Sequence, residues 1–205
     1  AHACGEDRPG VTDAAAAAIE LLHCASLVHD DLPCFDDAPI RRGKPSVHAA
    51  FGEPLAVLTG DALIVLAFET LARGVGSAAD RLPTLLLTIG HSVGMPCGVA
   101  GQAWEGEPDA VLADYQRAKT GALFAGATMA GAAATGAAPD EWRLLGERLG
   151  EAYQVVDDIR DVAADPAELG KPTGRDEVLG RPNAARQLGM RGALERLDGL
   201  IAEAV

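Results

Sequence analysis

Two short stretches gather carboxylates densely enough to do chemistry. In Asp30-Asp31-Leu32-Pro33-Cys34-Phe35-Asp36-Asp37, four acids fall within eight residues. In Asp157-Asp158-Ile159-Arg160-Asp161, the first and last acids are four apart, so on a helix they share a face, with Asp158 beside them. Like charges at that spacing destabilise a helix on its own, and cations between them would relieve the repulsion. A solvated acidic helix end is the ordinary alternative. Two features count against it. Each cluster grows out of an apolar run, IELLHCASLVH and EAYQVV, that should be buried. Each is also followed by basic residues fit for phosphate: Arg41, Arg42 and Lys44 after the first, Lys171 after the second. Oxygen-only donors select hard cations. Mg²⁺ takes one or two carboxylates per ion, keeps waters and binds substrate phosphates. Zn²⁺ would want His or Cys at ligand spacing, and neither cluster has the ligand pattern of an EF-hand. The pattern implies a Mg²⁺-bridged diphosphate between two helices.

The elements that must position these residues follow from composition and punctuation. The chain has 205 residues, room for one compact domain with a sizeable core. It holds 40 alanines and 24 glycines, while aromatics make up only 4%. Ala favours helices, and strands want the β-branched and aromatic residues that are scarce here. The expected class is all-α, with helices packed closely. Caps and periodicity place helices from Ala14 to about Leu32 (capped by Thr12 or Asp13), Leu55 to Arg73, Leu82 to Val93, Pro108 to Ala118, Gly121 to Ala134, Glu141 to Val162 (capped by Asp140) and Asn183 to Ala204. The Pro- and Gly-rich stretch 163–182 reads as loop, and no alternating strand is visible.

Charge excludes some functions. Seventeen basic residues against thirty acids leave a net −13, a poor basis for binding nucleic acid or an anionic membrane surface. Cys4, Cys24, Cys34 and Cys97 have no C-x-x-C spacing and read as reduced, mostly buried thiols. No charged-then-apolar leader is visible, so the expectation is a cytoplasmic protein. Stretches 82–104 and 121–139 carry no Asp, Glu, Lys or Arg up to residue 104 and 139 respectively, yet the first is broken by Pro and Gly. The second is Ala, Gly and Thr rather than Leu, Ile and Phe, so both read as soluble, buried helix.

The chain resembles the trans-isoprenyl diphosphate synthases, the all-α polyprenyl synthetases. SLVHDDLPCFDD is similar to the family's first aspartate-rich motif, and RRGKPSVHAAFGEPLAVLTGDAL to its continuation. AKTGALF is similar to its K-T-G motif, YQVVDDIRD to its second aspartate-rich motif, and GKPTGRD and GRPNAARQLG to its closing segments, most of all in bacterial geranylgeranyl diphosphate synthases. The resemblance implies an antiparallel helix bundle around a central cavity, a homodimer, and Mg²⁺-dependent head-to-tail condensation of isopentenyl diphosphate with an allylic diphosphate. By position, Asp30, Asp31 and Asp36 would hold two Mg²⁺ and Asp157 a third, with Asp158 and Asp161 supporting through water. Arg41, Lys119 and Lys171 would grip the allylic diphosphate, and His23 and Arg42 the isopentenyl diphosphate. Thr120 and Gln154 would turn oxygens towards the developing allylic cation. Without the resemblance, His23 would be an ordinary core histidine, Gln154 a buried amide and Thr120 a helix cap. Gln102 and Asp61 are familiar positions without a firm role, and Phe35 and Trp104 read as packing.

Product length follows from pocket depth. Ala25 and Ser26 lie about one helical turn before Asp30, with Leu22 and Leu21 a further turn down as a floor. In the family a bulky aromatic at the upper position stops growth at fifteen carbons. Small residues there point to geranylgeranyl diphosphate, with farnesyl diphosphate the alternative within the family. A class I terpene cyclase and a non-catalytic subunit of a heteromeric synthase are the more remote alternatives. The resemblance also implies roughly 70 to 80 further residues before Ala1, a size fit for about two helices, including a G-K-R-x-R-P motif with no match here. The expectation is therefore a single synthase domain over 1–205 that lacks its N-terminal helices, with weak activity or none from this polypeptide alone and synthase activity from the full-length protein.

Overall fold

A computed structural model describes residues 1–94, 97–104, 117–163 and 183–204, without the side chains of Ala100, Trp104, Arg117 and Lys119. These residues are overwhelmingly helical: α1 (Pro9–Asp30), α2 (Val47–Phe51), α3 (Glu53–Gly74), α4 (Leu82–Val93), α5 (Gly98–Trp104), α6 (Ala122–Ala133), α7 (Arg143–Ala163) and α8 (Ala184–Ala204). Short turns of helix cover His2–Cys4, Ala79–Arg81 and Pro139–Trp142, and a π turn spans Arg117–Gly121. The expected all-α class holds.

The departures have local causes. Helix α1 begins at Pro9, earlier than expected, because proline suits the first helical position where its missing N–H costs nothing. Neither Thr12 nor Asp13 caps it. Asp140 likewise caps nothing; it lies in the turn Pro139–Trp142 and accepts from Arg143. One small ribbon does form, β1 (Ile40–Arg41) against β2 (Lys44–Pro45), antiparallel with Ile40 opposite Pro45. Arg42 and Gly43 between them both have positive φ, 52° and 76°, as a type I′ hairpin turn requires. The expected helix 108–118 lies outside the described residues but for its last two positions, which belong to the π turn. The expected loop 163–182 lies outside them from 164 on.

The main core joins one face each of α1, α3, α4 and α6. Val11, Ala15, Ala18 and Leu22 recur at helical spacing along α1 and meet Ala67 and Leu71 of α3, Leu85 and Ile89 of α4, and Ala130 and Ala133 of α6. A second core joins α7 and α8 through Ala152, Val155, Ala184, Ala185, Ala193 and Leu200. Small residues let these helices approach. A Cβ on Gly146 would fall 2.4 Å from the Ala125 Cα, and one on Gly150 would fall 2.6 Å from the Gly121 Cα. The 121–139 run is thus a buried helix, as expected, with Ala122, Ala125, Gly126, Met129 and Ala130 among its buried residues.

One other reading needs correction. None of the four free cysteines is buried, and Cys34 is exposed. Among the described residues, the helices long and apolar enough to cross a membrane, by length and composition alone, are α1 and α3. Helix α1 owes this to an Ala- and Leu-rich face that packs into the main core. Helix α3 instead leaves Leu55, Leu58, Val65 and Leu66 exposed.

Candidate active site

The first aspartate cluster sits where α1 ends. The chain folds back over its last turn. Asp36 N–H donates to the Asp30 carbonyl at 2.9 Å, and Ala38 N–H to that of Asp31 at 3.1 Å. The four-residue spacer therefore returns Asp36 to Asp30, while Asp37 (φ 44°) turns outward and meets His48 at 3.9 Å. The hairpin then delivers Arg41. Its Nε donates to both Asp31 oxygens at 2.8 and 2.9 Å, and its Nη2 lies 3.5 Å from Asp30 Oδ2. Asp31 is only 3% exposed, so this pairing is what compensates its burial. Burial works against the Arg41 charge, but the bonds to Asp31 and the charges of Asp31, Asp30 and Asp36 outweigh it and hold its pKa above the usual arginine value. From α5, Gln102 Nε2 donates to Asp30 Oδ1 at 2.9 Å.

His23 lies two turns before Asp30 and is half-buried. Burial pushes its pKa down; Glu20 opposes this, and Arg42 and Arg41 add to it. That influence groups His23 with the two arginines, as a shared anion site would require. Arg42 and Lys44 are exposed on the hairpin. Ala25 is buried at 2% exposure, Leu22 belongs to the main core and Leu21 packs against it. Ser26 is exposed and its hydroxyl donates to the His23 carbonyl.

The second cluster lies on α7, and its acids differ. Asp157 is part-exposed; Asp158 and Asp161 are buried. Asp158 accepts from the Gln154 amide at 3.0 Å and from Ala184 N–H at 2.8 Å. Asp161 Oδ2 stands 3.9 Å from Arg186 Nη2. Thr120, on the π turn, donates to Gln154 Oε1 at 2.9 Å. The structure thus joins Thr120, Gln154 and Asp158, and joins Asp30, Asp31 and Asp36 with Arg41. It describes no Lys119 side chain, and Lys171 lies outside the described residues. Among the described residues, no three His, Cys, Asp or Glu side chains form a ready-made metal cage.

Sequence reasoning missed several partners. Gln102 bonds Asp30, while Asn183, just before α8, and Arg186 of α8 reach Asp158 and Asp161. An amide after a Pro-rich stretch carries no sequence signal for such a role. Asp61 is exposed and lies 3.7 Å from the His29 Nε2. Phe35, read as packing, is instead 48% exposed, because the fold-back points it away from the core.

The Polyprenyl synthetase family model matches residues 1–201. The chain is 56% identical over its whole length to the geranylgeranyl diphosphate synthase of Cereibacter sphaeroides and spans 72% of that protein. It is 51% identical to the synthase of the same name from Rhodobacter capsulatus, spanning 71%. Among solved structures, a geranyltransferase from Helicobacter pylori, crystallised with magnesium and isoprenyl diphosphate, superposes with a TM-score of 0.82 at 33% identity. That match covers 93% of this chain and 65% of the other.

Proposed function

This chain belongs to the polyprenyl synthetase family, and on that premise we propose that it is a trans-prenyltransferase making geranylgeranyl diphosphate. It condenses isopentenyl diphosphate head-to-tail with an allylic diphosphate. The observation that carries this reading is the Asp30–Asp31–Asp36 cluster, folded on itself beside Arg41, in a chain that also keeps a second aspartate cluster on α7.

The residues fit magnesium, because the donors at both clusters are carboxylate oxygens. Asp30, Asp31, Asp36 and Asp157 would hold the ions, three per site, with Asp161 in support; both oxygens of Asp158 face Gln154 and Ala184 instead. Bound Mg²⁺ supplies the positive charge that makes diphosphate a good leaving group. Arg41, pre-oriented by Asp31, adds a fixed charge towards the allylic diphosphate. Lys119 and Lys171 join it. His23 and Arg42 take the isopentenyl diphosphate. Thr120 and Gln154 turn oxygens towards the allylic cation, and the apolar side of α1, past Ala25 and Ser26 to Leu22 and Leu21, takes the growing tail away from water.

The enzyme works in the cytoplasm as a homodimer without a membrane span. What supports the dimer is the exposed apolar side of α3, where Leu55, Leu58, Leu63 and Leu66 line a shallow groove that a second copy would cover. The whole chain is one synthase domain.

The test is to incubate the full-length protein with Mg²⁺, radiolabelled isopentenyl diphosphate and five-, ten- or fifteen-carbon allylic primers. The expected product is the twenty-carbon diphosphate. A cyclic hydrocarbon without isopentenyl incorporation would identify a terpene cyclase. Product only on addition of a second protein would identify a subunit of a heteromeric synthase, and a fifteen-carbon end product would identify a farnesyl diphosphate synthase.

A further inference from the structure

Asp158 is 1% exposed, and both its carboxylate oxygens accept hydrogen bonds from the chain. Ala184 N–H, at the start of α8, donates to Oδ2 at 2.8 Å, and Gln154 Nε2 donates to Oδ1 at 3.0 Å. Gln154 Oε1 accepts from the Thr120 hydroxyl at 2.9 Å. Asn183, equally buried, donates to the Asp158 carbonyl at 3.4 Å and accepts from Arg186 N–H at 3.1 Å, capping α8. One line of hydrogen bonds therefore runs from the first turn of α8 through Asp158 and Gln154 to Thr120.

A glutamine amide has two ends of similar shape and opposite chemistry, whereas a carboxylate can only accept. We propose that Asp158 is a positioning residue: anchored by Ala184 N–H, it fixes the Gln154 amide so that oxygen, and not N–H, is presented beside Thr120 to the allylic cation. The orientation has a sign, because an amide oxygen stabilises an adjacent cation and an N–H group repels it. The catalytic part of this role rests on the prenyltransferase reading; the hydrogen-bond line does not.

The test is an amide–carboxylate exchange. In D158N the new amide must give its oxygen to Ala184 N–H, since a main-chain donor cannot flip. Its nitrogen then faces the Gln154 nitrogen and drives that amide over. Adding Q154E restores an acceptor towards the new amide and leaves a second oxygen for Thr120, with the total charge unchanged. In metal-free protein with chelator, D158N should lower Tm by about 3 °C or more, and D158N/Q154E should recover most of the loss. A carboxylate that merely repels Asp157 and Asp161 gives the opposite sign, a higher Tm on neutralisation. With Mg²⁺, D158N should lower kcat about tenfold or more, leaving both KM values and the half-saturating Mg²⁺ concentration within about twofold, and the double variant should regain most of kcat.

The proposal is overturned if D158N raises the metal-free Tm. It is also overturned if D158N acts only by raising the Mg²⁺ requirement, or if the double variant is no better than D158N in either readout. A full-length wild-type protein inactive with every primer overturns the prenyltransferase reading instead, and the metal-free exchange still decides whether Asp158 holds Gln154.

Discussion

Arg41 is committed to Asp31 before any substrate is present. Its Nε–H is shared between both oxygens of one buried carboxylate and its Nη2 lies 2.7 Å from Asp31 Oδ1, which fixes the guanidinium so that its remaining charge points in a set direction. His23 is set differently, by burial. Its folded pKa lies below the unfolded value, so the stability it contributes is fully present above about pH 6.5 and is lost as pH falls through the depressed value. His23→Gln should therefore flatten the loss of Tm between pH 7.5 and 5.5, measured by scanning calorimetry at both values. An unchanged pH dependence would place the acid sensitivity elsewhere. Ala25 carries the product-length argument. Ala25→Phe should shift the main product from twenty to fifteen carbons, read by chromatography of the dephosphorylated alcohols. It should cost about 1–3 kcal/mol of stability, as overpacking at a buried site does. Active enzyme with unchanged product would remove Ala25 from the pocket. At this scale the two aspartate clusters stand out because they form short linear patterns, whereas His23, Thr120 and Gln154 are singled out only by the resemblance to the family. The pairs Gln102–Asp30 and Ala184–Asp158 are not, since each joins positions far apart in the chain.

Helices α6 and α7 approach closely at two glycines of α7, Gly146 and Gly150, with the Phe124 and Tyr153 rings in contact beside them. Gly150 lies one turn before Gln154 and faces Gly121, the residue after Thr120, so the closeness of these helices sets the Thr120–Gln154 bond. Gly150→Ala would place a methyl 2.6 Å from the Gly121 Cα. We expect a stability loss of about 1–3 kcal/mol and a larger fall in kcat than in kcat/KM for isopentenyl diphosphate. Gly199→Ala, where nothing lies within 4 Å, should instead raise stability by up to about 1 kcal/mol through helix propensity and leave kcat unchanged in the same thermal melts and rate assays. Helix α4 matches its expected bounds, Leu82–Val93, because Pro83 opens it and Gly94 closes it. The hairpin was not legible: two residues a side are too few to display a strand's alternation, and only the positive φ of Arg42 and Gly43 reveals the turn. Helix α8 was legible as an element, but not the break at Gly189, whose φ of 72° interrupts it.

On the scale of the molecule, the acidic surface and the apolar side of α3 pull in opposite directions. A net charge of −13 opposes association, whereas a row of exposed Leu and Val favours it. A two-fold pairing of α3 with itself would bury that row on both copies at once. Leu58→Glu, at the groove's centre, should convert a dimer into a 21.0 kDa monomer by light scattering. A mass unaffected by the change would mean that α3 is not the interface. The all-α class was legible from Ala abundance and aromatic scarcity. The division into two cores was not, since it depends on which face each helix gives to which neighbour. The join between α7 and α8 has a last consequence. Asp158 meets Asn183 and Ala184 across 25 and 26 positions of sequence, so the two ends of the intervening connection are clamped by groups that belong to the helices themselves. Closing a chain loop grows costlier only with the logarithm of its length, about 0.6 kcal/mol per doubling. An insertion or deletion between Ala163 and Asn183 should therefore leave the hydrogen bonds from Thr120 through Gln154 to Asp158 in place, so that the length of that segment and the aim of Gln154 are independently adjustable.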